Sequence, residues 1–323
     1  MDRRAFFKVS GVSLGMGALY TMAPRLEGTA EGAELARLLG RKNGEQPKPF
    51  SVFQLSDTHV GWEGALGTSA FERAVDIVNR LDPGPDLVLF TGDLTHDTED
   101  QGKHAERMKR FREIAGRLRA PKVYHVPGEH DAGLDGGDLY RSFFGQTSYS
   151  FDHKGFHFVA LDNVSLGKPE VGAEQRAWLE KDLARFPKTT PIVVFTHRPL
   201  FDLRPDWEWF TSDGDLVMGI LAPYENVTVL YGHIHRGDER ALGRARLYAA
   251  PSLCFAFPDP EVAKEKKAVP FDPSEPFRNL GIRSLSGAFG ERGAAVEVRE
   301  VSLELRELSG TEGSHQLLKS PSL

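Results

Sequence analysis

Five short apolar runs in this chain each end on a side chain able to bind a metal. Phe50-Ser51-Val52-Phe53-Gln54-Leu55 leads into Asp57-Thr58-His59, and the run from Asp86 to Thr91 leads into Gly92-Asp93. Lys122 to Val126 leads into Gly128-Glu129-His130-Asp131, Ile192 to Thr196 into His197, and Val227 to Tyr231 into Gly232-His233-Ile234-His235. Runs this short, rich in β-branched and aromatic residues, read as buried strands. Longer amphipathic stretches separate them. The spacing predicts a helix over residues 69–81, with Phe71, Ala74, Val75, Val78 and Leu81 on one face and a capping box of Ser69 and Glu72. A second helix is predicted over 103–119, with Met108, Phe111, Ala115 and Leu118 facing the core. A further strand over 157–161 precedes a helical stripe of Trp178, Leu179, Leu183 and Phe186. Strands alternating with helices specify an α/β fold. In such sheets, sites form at the carboxyl ends of the strands, where all five polar clusters fall.

Composition narrows the chemistry. The single cysteine, Cys254, excludes an internal disulfide and a thiolate zinc cluster. Any metal must be held by His, Asp, Glu or Asn. A net charge of −6 with no lysine- or arginine-rich face gives no nucleic-acid-binding surface. Asp57, His59, Asp93, Glu129, His197, His233 and His235 exceed what one tetrahedral ion takes and suit two ions sharing a carboxylate. Imidazoles with carboxylates favour Mn, Fe or Zn over Ca or Mg. Two such ions clamp a phosphoryl group and acidify a bridging water, whose hydroxide attacks phosphorus in line with the leaving alkoxide. His130 is a spare imidazole placed to protonate the leaving oxygen. Asp131 or Asp97 could orient it. His96 and Arg236, next to ligands in sequence, are candidate contacts to substrate phosphate.

The order Asp-x-His, Gly-Asp, Gly-x-His-Asp, a lone His and Gly-His-x-His resembles the calcineurin-like metallophosphoesterase family over roughly residues 50 to 250. The resemblance implies a four-layer α/β/β/α sandwich of two facing mixed β-sheets flanked by helices. It places Asp57, His59, Asp93 and His235 on one ion, and Asp93, residue 129, His197 and His233 on the other, with Asp93 bridging. Residues from Arg246 onward, including 246–250 and 294–305, would supply strands of the second sheet. The segments Gln54–His59 and Gly232–His235 are similar to the branch acting on cyclic nucleotides and glycerophosphodiesters, so a small phosphodiester is the expected substrate. Protein phosphatases of the superfamily carry Gly-Asp-x-x-Asp-Arg-Gly, whereas this chain has Gly92-Asp93-Leu94-Thr95-His96-Asp97-Thr98.

Position 129 departs from the family's asparagine. Glutamate adds a negative charge and a methylene, making the site about one unit less positive. Either Glu129 ligates, or it swings out and leaves a position open. The second case would suit an exported metal- or phosphate-binding protein that has lost catalysis. The loops 132–150 (Tyr140, Phe143, Phe144, Tyr149) and 199–215 (Phe201, Trp207, Trp209, Phe210) could stack on substrate or pack an irregular segment.

Asp2-Arg3-Arg4-Ala5-Phe6-Phe7-Lys8, followed by an uncharged run from Val9 to Ala23, resembles a bacterial twin-arginine export signal. The run is too short and glycine-rich for a comfortable membrane span, so the membrane is a partner only if the signal stays uncleaved. The expected organisation is an export signal over 1–30, a spacer over 31–49, the catalytic domain over 50–310 and a tail over 311–323. Its expected partner is the twin-arginine machinery, and its expected location the periplasm, reached after folding.

Overall fold

The computed structural model describes residues 49–132, 134–290 and 293–304. The expected export signal, the spacer up to residue 48 and the tail lie outside the described residues. The elements run β1 (Phe50–Leu55), α1 (Ser69–Asn79), β2 (Leu87–Thr91), α2 (Gln101–Ala115), β3 (Val123–Val126), α3 (Glu129–Ala132), α4 (Asp138–Phe144), β4 (Tyr149–His153) and β5 (Phe156–Ala160). They continue with α5 (Ala173–Leu183), β6 (Ile192–Phe195), α6 (Gly214–Leu221), β7 (Val227–Tyr231), β8 (Asp238–Leu242), β9 (Ala245–Ala249), β10 (Gly281–Gly290) and β11 (Gly293–Ser302).

Two mixed sheets form, in the orders β11-β10-β1-β2-β3 and β4-β5-β6-β7-β9-β8. In the first, β1, β2 and β3 are parallel while the β10–β11 hairpin adds antiparallel beside β1. In the second, β5, β6, β7 and β9 are parallel, with β4 and β8 antiparallel at the edges. The two-residue period of each strand sends alternate side chains to opposite faces. Val52, Leu87 and Leu89 therefore meet Phe156, Phe158, Val193, Phe195 and Leu230 between the sheets. Phe53, Leu55, Val88 and Phe90 face outward onto Phe71, Val75, Met108 and Phe111 of α1 and α2. Val159, Val194 and Val229 face outward onto Leu179, Val217 and Leu221 of α5 and α6. The result is the α/β/β/α layering, with both parallel strand sets ending at one edge.

Several expectations need correction. The 246–250 strand does join the second sheet as β9, but β11 completes the first sheet, because the β10–β11 hairpin runs back along β1 in register Phe50↔Gly287. The capping box does not form. Ser69 is already helical, and Thr68 stands at the N-cap, its hydroxyl reaching Glu72 at 3.4 Å. The second helix starts earlier, where the Asp100 carboxylate accepts from the Lys103 amide at 3.1 Å. In the two aromatic loops packing prevails: Tyr140, Trp207 and Trp209 are buried, and Phe143, Phe144 and Phe201 lie against the outer cores.

Candidate metal centre

The carboxyl ends of β1, β2, β3, β6 and β7 converge on one buried cluster. Gln54 ties the two sheets beneath it, its side-chain amide donating to Thr91 Oγ1 (3.0 Å) and to the Tyr231 carbonyl (2.9 Å). The loops then bind one another: Asp57 N donates to Gly92 O, His59 N to Asp93 O, and Gly232 N to His197 O, all within 3.0 Å. Asp57, His59, Asp93, His233 and His235 all adopt positive φ, between 41° and 66°. They are five of the eight described non-glycine residues that do so, and such strain persists only where surroundings over-determine it. The strain turns each side chain inward from a strand that has just ended. Gly128 answers a different demand: a Cβ there would lie 2.0 Å from Asp93 Oδ1. At Gly232 it would lie 2.0 Å from Ser56 Oγ and 2.7 Å from Asp57 Oδ2.

The structure gathers two sets of four ligand atoms that share Asp93. One comprises Asp57, His59, Asp93 and His235, all buried; the other comprises Asp93, Glu129, His197 and His233. Asp93 Oδ2 lies 3.4 Å from His59 Nε2 and 3.3 Å from His197 Nε2. In the first set, His235 Nε2 is 3.4 Å from Asp57 Oδ1 and 2.9 Å from His59 Nε2. In the second, the Glu129 carboxylate spans His197 Nε2 and His233 Nδ1, each at 2.8 Å.

The remaining ring nitrogens fix which atom faces inward. His197 Nδ1 donates to Thr91 O (2.7 Å), His235 Nδ1 to Phe255 O (2.8 Å) and His233 Nε2 to Glu208 O (3.0 Å). This is the outer arrangement of metal-binding imidazoles: it leaves an inward lone pair on His233 and His235, which burial keeps neutral, whereas Asp93 and Glu129 favour a proton on His197 against its burial. Buried His197 Nε2 and Glu129 Oε2 have no aligned hydrogen-bond partner despite their proximity. Imidazole and carboxylate atoms left without aligned partners in a buried cluster fit a cation.

Electrostatics agree. Burial, with Asp93 and Glu129 nearby, pushes Asp57 up to about 8 against the pull of His197. Burial holds His233 down to about 4 and His235 down to about 3, keeping both neutral. Asp93 and Glu129 are held low despite burial, Asp93 by His197, His130 and His59, Glu129 by His233, His197 and Arg198.

His130 stands at the rim, its Nε2 3.8 Å from Asp93 Oδ2. Asp97, not Asp131, faces its ring, with Oδ1 2.9 Å from Nδ1. The carboxylates of Asp93 and Asp97 push His130 up to about 10 against its burial, which favours the imidazolium. Asp131 is turned away and fully buried. It accepts from the amides of Leu94, Thr95 and Gly128 at 2.9–3.0 Å and binds the β2 loop to the β3 loop. His96 stacks on His130 at 5.0 Å and 23°, and its Nδ1 is 3.3 Å from His59 Nδ1. Arg236 instead pairs with Asp259 at 3.2 Å.

Sequence reading missed Arg198, Trp62 and Phe255. Arg198, nearly buried, lies 3.3 Å from Glu129 Oε1. Adjacency to His197 was its one available signal. The Phe255 ring lies 4.3 Å from that of His235, and Trp62 lies 4.8 Å from His96. Neither sits in a motif.

Residues 50–237, more than half of the chain, match the calcineurin-like phosphoesterase family. The chain belongs to the calcineurin-like phosphoesterases. It is therefore a hydrolase of phosphoric esters with residues arranged to hold metal. Among its relatives is a protein of Arcobacter nitrofigilis named probable glycerophosphodiester phosphodiesterase GpdQ, 31% identical over 208 residues, covering 57% of this chain and 71% of that one. Another is the 3',5'-cyclic adenosine monophosphate phosphodiesterase CpdA of Escherichia coli K12, 29% identical over 232 residues, covering 64% of this chain and 77% of that one. Purple acid phosphatase PPD1 of yellow lupin shares the fold with a TM-score of 0.56 at 17% identity, over 79% of this chain and 52% of that one. This calcineurin-like phosphoesterase differs from the family pattern at Glu129, which points into the second set rather than away from it.

Proposed function

We propose that the chain is a dinuclear phosphodiesterase acting on small phosphodiesters. The observation that carries this reading is the pair of four-ligand sets hinged on Asp93. Bound there, two cations would supply Lewis acidity toward the phosphoryl oxygens and acidify a water. Mn, Fe or Zn suits the imidazole–carboxylate donors. The protein's own part is orientation and proton transfer. Backbone carbonyls hold the rings of His197, His233 and His235 in orientation. His130, held protonated beside Asp93 and Asp97, donates its Nε2 proton to the departing alkoxide. Arg198 offsets the charge that Glu129 adds. The preference for diesters is supported by relatives named for glycerophosphodiesters and cyclic nucleotides. Metal-loaded protein should hydrolyse bis(4-nitrophenyl) phosphate faster than 4-nitrophenyl phosphate. Full metal loading with turnover of neither ester would refute the assignment, and a monoester preference would move it to phosphomonoesters. We infer export from the Arg3-Arg4 segment. Residues 1–30 fused to a folded reporter should carry it to the periplasm, and Arg3→Lys with Arg4→Lys should retain it inside.

A further inference from the structure

Beside the metal centre lies a second concavity of about 300 Å³. Its walls come from the loop after β1 and from the segment between β9 and β10, notably Trp62, Leu66, Phe255, Val269, Phe271 and Leu280. It shares a partition with the centre. Trp62 and Phe255 have ring centroids 5.0 Å apart, and Trp62 stands against His96, which stacks on His130. Phe255 rests on His235 and on His59, at 4.3 and 5.5 Å. The hollow is not a packing void, because two of its large aromatics reach solvent: Trp62 is 37% exposed and Phe271 47%. Its charged residues are occupied with other partners. Glu275 pairs with Arg278 at 3.1 Å, and Asp272 Oδ1 accepts from Ser274 Oγ at 2.7 Å. The rest of the lining is largely apolar, and an apolar concavity beside convergent polar groups suits the uncharged part of a ligand.

We infer that this cavity receives the hydrocarbon part of one ester alcohol, so that the substrate is an alkyl or aryl phosphodiester. The inference rests on the phosphodiesterase reading. Phosphorus sits at the two ligand sets, and the organic group passes His96 and Trp62 into the cavity. This wall also positions the centre, since the backbone carbonyl of Phe255, whose ring lines it, accepts a hydrogen bond from His235 Nδ1.

The test is calorimetric binding of n-alkylphosphonates, methyl to hexyl, to the metal-loaded full chain, which needs no turnover and leaves failure of the hydrolytic assignment separately visible. Each methylene buried should tighten Kd about fourfold. Val269→Trp, which fills the cavity, should flatten that slope below about twofold per methylene. Phe271→Ala, at an exposed position that folding tolerates, should shallow it less. The reading is a ratio within each variant, so a general loss of affinity cancels. A wild-type series independent of chain length overturns the inference, as does a slope unchanged in both variants or a failure of every phosphonate to bind. Tighter binding of 2-(trimethylammonio)ethylphosphonate than of its neutral 3,3-dimethylbutyl isostere also overturns it, showing that the aromatics read a cation.

Discussion

The two halves of the centre are built on opposite electrostatic plans. The Asp57–His59–Asp93–His235 half is wholly buried, with His59 and His235 backed by Phe255 and only Asp93 held firmly ionised. The Asp93–Glu129–His197–His233 half has the same count of carboxylates, but both are held low, balanced by Arg198 and an imidazole, His197, raised well above its usual range by Asp93 and Glu129. The contrast shows how the chain accommodates a glutamate at position 129. The charge is embedded in a local network of two imidazoles and a guanidinium, and the other half is left as the family pattern has it.

Breaking the shared residue should have the largest effect. Asp93→Asn removes the carboxylate common to both halves, so turnover should fall to background and metal content should drop in both. Steady-state kinetics with elemental analysis checks this. His130→Ala leaves both halves intact and removes the proton donor. Its kcat should fall about 10²- to 10⁴-fold with metal content unchanged. Arg198→Ala addresses one half alone, since it leaves the Glu129 charge partly uncompensated. Affinity for the cation of the Glu129 half should rise, in titrations that leave the other cation undisturbed. A change in both halves would show that Arg198 acts through general folding.

The smallest effect serves as a reference remote from both halves. His157 is buried between Asp152 and Asp182, each at 2.7 Å. Burial opposes its charge, but the two carboxylates win and raise its pKa above the ordinary value. A raised folded-state pKa gives stability that is full below the unfolded value of about 6.5 and lost as pH rises through the folded one. His157→Gln should therefore lower unfolding stability by about 2 kcal/mol at pH 6 and by less at pH 9, with metal content unaltered. Equal losses at both values would show that the network is not held by charge.

Much of the site was legible because strand ends are local features. A strand period that stops, followed by Asp93 or His233, marks both the edge of the sheet and a polar group at it. The α/β class followed from the same alternation, and the four layers from the family resemblance. What could not be read depends on distant partners or on backbone angles. Asp97 and Asp131 are equally near His130 in type, and only the amides of Leu94, Thr95 and Gly128 reveal that Asp131 is already spoken for. The positive φ of five ligands leaves no trace in residue type, since none is glycine. The β10–β11 hairpin gave no sign of its sheet, because pairing with β1 spans more than two hundred residues. Ser69 and Glu72 matched a capping pattern, yet the N-cap falls one residue earlier, at Thr68, and no box forms.

The central claim is that Asp93 joins two metal positions. Elemental analysis of the loaded and desalted chain, run beside Asp93→Asn and His233→Ala, addresses it most directly. The expected result is two ions per wild-type chain, one in His233→Ala and fewer than one in Asp93→Asn. A single ion per wild-type chain, or two that survive Asp93→Asn, would contradict it.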